Sequence, residues 1–211
     1  MANRHDKNLP ELELHEHQAK EALQVILHTI VFLRAPKKLS IGTDVIDCHT
    51  SSFPLPYAKL RFPEVTSMID DSLQTFFQTG LSTIGPELSK GVVALDFYVN
   101  KPTGSWFGPK TEKVCFEKWI LPVLVDSTPR PVGDDVASVI ERTRSRETAV
   151  ERVKGTMNII YDKAMEDLSH LPTQFQFEVG EWEGGGRSRR NSSEDRGIRG
   201  SLGRTGLFNA S

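Results

Sequence analysis

Apolar side chains recur at Ala19, Ala22, Leu23, Ile26, Leu27, Ile30 and Leu33, the three-and-four spacing that lines one face of a helix. The pattern predicts a first helix that ends before Pro36, because the residue preceding a proline is disfavoured in helical geometry. Val65, Met68, Ile69, Leu73, Phe76 and Phe77 predict a second helix, with Pro63 near its first turn and Gly80 at its end. Val150, Val153, Met157, Ile160, Ala164 and Leu168 predict a third, stopping at Leu171-Pro172. Its opposite face, with Glu147, Glu151, Arg152, Lys154, Asp162, Lys163 and Glu166, is charged and therefore solvated.

Period-two or continuous β-rich stretches fill the gaps: residues 43–48, 57–62, 95–99, 114–125 and 175–179. Pro122 suggests an edge position for the fourth of these. Helices and strands mix without regular alternation, which favours an α+β class over a doubly wound sheet. Residues 126–145, with Pro129, Pro131, Gly133 and Asp134-Asp135, read as a long loop holding a short helical turn at 136–141.

The ends differ from the centre. Residues 1–11 read as a flexible polar arm and residues 12–183 as one domain. Residues 184–211 are rich in Gly, Ser and Arg, with six arginines against Glu194 and Asp195. They have few apolar groups to offset the entropy of ordering, so a disordered basic tail is expected. Within it Arg189-Arg190-Asn191-Ser192-Ser193 matches the pattern of a basophilic kinase site, a match that also arises by chance in such tails.

Composition then narrows the function. The 211 residues are 37% apolar and 26% charged, with a net charge of -2, which suits a soluble domain and gives no footing for nucleic acid. The longest apolar runs fall far short of the roughly 20 residues that span a bilayer, and the first thirty residues are charged where a secretory signal places its apolar segment. A cytoplasmic protein is expected. Cys48 and Cys115 stand apart and are read as small apolar residues rather than a disulfide framework.

Motifs of catalysis are missing from the sequence. It has no phosphate-cradling glycine loop, H-E-x-x-H helix, C-x-x-C pair or G-x-S-x-G elbow, so no catalytic residue, cofactor or metal is assigned. His15-Glu16-His17 reads as a solvated helix start, and Asp44 and Asp47 as strand-end carboxylates. His28 reads as a boundary residue beside the apolar stripe of the first helix. Cys48-His49 are strand neighbours facing opposite sides, which leaves a thiol hydrolase as a remote third reading.

The segment 100–113, NKPTGSWFGPKTEK, joins two strands and sets Trp106-Phe107 between Gly104-Ser105 and Gly108-Pro109. Glycine and proline on both sides suit a projecting turn. Composition leaves two readings open: an aromatic anchor for a partner's pocket, or a pair folded back to close its own sheet. Trp119, inside a strand pattern, reads as core.

The ordered set of Val25-Ile26-Leu27-His28-Thr29, Asp44 to Cys48, Leu95-Asp96-Phe97-Tyr98, Trp106-Phe107, Phe116-Glu117-Lys118-Trp119 and the third helix ending in Leu171-Pro172 resembles the autophagy-related protein 101 family over about residues 12–180. The resemblance implies a HORMA domain, with a three-helix layer on a largely antiparallel sheet. It implies a non-catalytic adaptor that forms a heterodimer with the HORMA domain of autophagy-related protein 13 within the autophagy-initiation kinase complex, at the phagophore assembly site. It also implies that Trp106 and Phe107 form an exposed WF finger that recruits downstream factors. Here the two aromatics are adjacent, whereas family members often place a proline between them. A peptide-clamping HORMA protein of the spindle-checkpoint or meiotic type is the alternative.

Overall fold

A computed structural model describes residues 4–35, 44–105, 108–181 and 206–208. The stripe of the first helix becomes α1 (Glu16–Arg34), which is apolar on more than one face: Leu23, Val25, Ile26 and Val31 have no exposure. It is the central helix of a three-helix layer. α2 (Pro63–Thr75) opens on its proline and runs into a π-helical turn (Phe76–Gly80), and α3 (Val136–Met165) packs against α1.

Beneath the helices lies a largely antiparallel sheet of β1 (His5–Asn8), β2 (Leu12–His15), β5 (Ser82–Thr83), β6 (Leu88–Ser105), β7 (Gly108–Asp126), β8 (Phe175–Glu181) and β9 (Gly206–Phe208). Its main path is β1-β7-β6-β8-β9; β2 also pairs with β7, and β5 with β6. β3 (Val45–His49) and β4 (Pro56–Leu60) form a separate hairpin, and β4 packs on α1. The expected α+β class and three-helix layer are therefore present. Val93, Leu95 and Phe97 of β6, Trp119, Leu121, Val123 and Val125 of β7, and Phe175, Phe177 and Val179 of β8 form one core with the helices, the odd-numbered alternation of one sheet face, while Ala94, Tyr98 and Ile120 are buried on the other.

Three local expectations differ from the structure. The helix placed at 150–168 begins at Val136 instead, inside the expected loop. Its first turns carry Val136, Val139 and Ile140 to solvent, so no apolar periodicity marks them. They are started by a cap, Asp135 accepting the Ser138 amide at 3.0 Å, and Arg142 holds the carbonyls of Pro131 and Gly133.

Pro122 does not lie on an edge, since β7 has β6 on one side and β1 and β2 on the other. Its missing N–H falls where that neighbour breaks: β1 pairs as far as Asn8↔Ile120 and β2 resumes at Leu12↔Val123. Residues 1–11, expected as a polar arm, supply β1, and β2 follows at the start of the expected domain. Leu12 and Leu14 are buried, and parallel pairing satisfies their backbone. Of residues 184–211 only Gly206–Phe208 is described, as a strand on β8. Among the described residues no helix is long and apolar enough to cross a membrane.

Gly91 marks a close approach of sheet and π-helical turn, because a Cβ there would lie 2.6 Å from the Gly80 carbonyl oxygen and 2.7 Å from the Phe76 ring. Gly91→Ala should therefore lower stability by about 1–3 kcal/mol, the usual range for overpacking, read as a shift in the denaturant midpoint. An unchanged midpoint would show that the turn yields freely.

Candidate functional site

The hairpin β6–β7 outgrows its sheet. On one side β8 pairs with β6 only as far as Tyr98↔Gln176, and on the other β1 pairs with β7 only from His5↔Glu117 onward. Beyond these points β6 and β7 pair with each other alone, through Val99↔Val114 to Ser105↔Gly108. Seven residues at about 3.3 Å each make an arm of roughly 23 Å. Val99 at the base still packs against the core, whereas Lys101, Pro102, Thr111, Glu112 and Lys113 are exposed. The segment read from sequence as a loop is thus mostly ladder. Trp106 and Phe107, the residues assigned to partner binding, lie outside the described residues; they are the two positions between the last pair, Ser105 and Gly108.

The arm is anchored at its base. Lys113 sits 4.1 Å from the Tyr98 ring centroid and pairs with Glu178, and Asn100 donates to Gln176 at 2.8 Å. A bulge follows. Phe97 faces Glu117 while Tyr98 faces Cys115, leaving Phe116 without a partner. Such an extra residue increases local twist and re-aims side chains. Both Phe116 and Glu117 are withdrawn from solvent, and Phe116 joins Phe97 and Phe175 at ring separations of 6.4 and 5.7 Å.

Glu117 is fully buried. Its Oε1 accepts from Arg34 Nε at 2.7 Å and from Trp119 Nε1 at 2.5 Å, and its Oε2 lies 2.6 Å from His170 Nε2. Arg34 also donates to the Ala164 carbonyl at 3.0 Å and lies over the Trp119 ring at 5.5 Å. Burial pushes the Glu117 carboxyl up, but the hydrogen bond and charge of Arg34, then Trp119 and His170, outweigh it and hold the group below the ordinary carboxylate range. Sequence reading missed this cluster. Its signal was a lone glutamate among apolar strand positions and a lone arginine closing an apolar helix.

The other candidates do not converge. Burial drives the Cys115 thiol up to about 11, with the nearby Asp96 charge adding to it, which suppresses the thiolate a nucleophile needs. Cys48 lies opposite Tyr57 in the β3–β4 ladder, with His49 exposed. His15 ends β2 and stacks on His17 at 5.8 Å. His28 is not at a boundary but buried, its ring 6.2 Å from Tyr57 and its Nδ1 without a hydrogen-bond partner.

Two acid-sensitive groups follow. Burial, aided by Lys59, lowers His28 to about 4, only partly opposed by Asp70. A depressed histidine contributes stability that is complete above its unfolded value near 6.5 and is lost as pH falls toward the folded value. Between pH 7 and pH 5 the His28 contribution should fall by about 2 kcal/mol, and His28→Leu should remove that much of the slope in pH-dependent melting. Equal slopes in both proteins would refute the assignment. The lowered Glu117 acts further down, losing its contribution as pH drops below the unfolded value near 4.3. Glu117→Gln leaves Arg34 buried without a counter-charge and should cost about 3–5 kcal/mol at neutral pH, measured by denaturant unfolding.

Comparison with known proteins places this geometry in context. A family model described as Autophagy-related protein 101 matches residues 11–176, from β2 into β8, and so includes the arm, Glu117 and His170. The chain is also similar to autophagy-related protein 101 of Arabidopsis thaliana, 29% identical over 181 residues that cover 78% of each chain.

Proposed function

This chain belongs to the autophagy-related protein 101 family, and from that premise we propose that it is a non-catalytic, cytoplasmic adaptor of autophagy initiation whose arm recruits partners through Trp106 and Phe107. On this reading the domain is of HORMA type, pairs with and stabilises autophagy-related protein 13 within the initiation kinase complex, and works at the phagophore assembly site.

The observation that carries the proposal is the arm itself. The ladder continues to Ser105↔Gly108, beyond the last pairs made by β1 and β8, and Lys101, Pro102, Thr111, Glu112 and Lys113 on its two strands are exposed. Large aromatics at such a position forgo the several kcal/mol that burying each would contribute, and a partner's pocket recovers it.

Replacing Trp106 and Phe107 together by alanine should leave the melting temperature within a degree or so of the parent and preserve co-purification of autophagy-related protein 13, while downstream factors are lost from affinity-purified complexes. A large drop in melting temperature would place the pair in the fold instead. Recovery of a closure-motif peptide without autophagy kinase subunits would favour a peptide clamp.

A further inference from the structure

His5, Asp167 and His170 come together from opposite ends of the chain, with one donor atom of each within 4.8 Å of the others. His5 belongs to β1, and the other two to the connection between α3 and β8. The two imidazoles stack with centroids 4.0 Å apart and 16° between planes. Lys7 of the same strand reaches Glu166 at 2.9 Å, so the strand and the connection are already held side by side.

His170 is the informative member. Its side chain is 8% exposed, and its Nε2 is taken by the ionised, fully buried Glu117. A carboxylate accepts there, so in the neutral ring the proton sits on Nε2 and the lone pair is on Nδ1. That Nδ1 is buried and has no hydrogen-bond partner, a costly arrangement for a polar atom. A carboxylate behind one ring nitrogen, with the other free, is the second-sphere arrangement that orients histidine ligands of metals. Asp167 is held in place as well, its Oδ1 accepting from the Ser169 amide at 2.8 Å.

We propose that His5, Asp167 and His170 form a zinc-class metal site, with Glu117 as the positioning residue that fixes the His170 tautomer. Two neutral imidazoles and one carboxylate suit Zn²⁺, whereas Ca²⁺ and Mg²⁺ take oxygen ligands. Three protein donors leave a fourth tetrahedral position for water or for a side chain of a partner. Donor atoms on one zinc ion stand roughly 3.3 Å apart, so the half-exposed His5 and exposed Asp167 need only modest rotation to close on His170. Bound metal would fasten the edge strand β1 to the α3–β8 connection. His5 lies outside the residues the family model matches, so the site rests on this chain's own N-terminal strand.

Isothermal titration of the metal-stripped full chain with ZnCl₂ should show one zinc per chain and a raised melting temperature, with no comparable response to MgCl₂ or CaCl₂. His5→Ala and Asp167→Asn should each weaken zinc at least tenfold, while His17→Ala, at the other stacked pair, should not. Loaded with Co²⁺, the parent should show visible ligand-field absorption that both site variants lose. No saturable zinc binding, affinity unchanged in His5→Ala and Asp167→Asn, or loss in His17→Ala instead would each overturn the assignment.

Discussion

Glu117 carries its charge at a place where water cannot reach it, and four parts of the chain are arranged around that fact. Removing an isolated carboxylate from solvent is far more costly than any single packing contact can offset. It is tolerated here because Arg34, Trp119 and His170 all point at it. Arg34 ends α1, and Ala164, whose carbonyl takes its second nitrogen, lies in the last turn of α3, where carbonyls lack helical partners. One guanidinium thus closes two helices onto the sheet. Without the bulge at Phe116 the strand would alternate through this point, and Phe116 and Glu117 could not both turn away from water.

The same two strands connect this cluster to the arm. From Leu95↔Trp119 in the core the β6–β7 ladder runs without interruption, apart from the bulge, to Ser105↔Gly108. An isolated two-stranded hairpin is marginal in water. This one is a continuation of a buried sheet and is clamped at its base by Lys113, Tyr98 and Glu178. The adaptor reading depends on that continuity, because an anchor presented on a pre-formed support loses less entropy on binding than one on a loose loop.

Much of this was legible in the residues. The helix faces of α1 and α2, the burial of Trp119, the alternation of β8 and the mixed α+β class all follow from local periodicity, which needs no knowledge of neighbours. What was illegible shares a cause as well. The first turns of α3 have no buried face, so periodicity is silent. β1 and β2 are only four residues each, β1 polar throughout and β2 polar on one side, so their strand character comes from pairing with β7. Pro122 argued for an edge by a sound rule, and its exception required knowing that the neighbouring strand breaks opposite it.

The sequence by itself determined the class of the fold, the identity of its core helices and the position of the aromatic pair between two glycines, because these depend on contacts within a few residues. Tertiary structure alone decided which charged residues went inside. Arg34, Glu117 and His170 are separated by 83 and 53 residues, and nothing local distinguishes them from solvated neighbours. Only the closing of α1 and the α3–β8 connection over β7 removes their water and makes each the other's necessary partner.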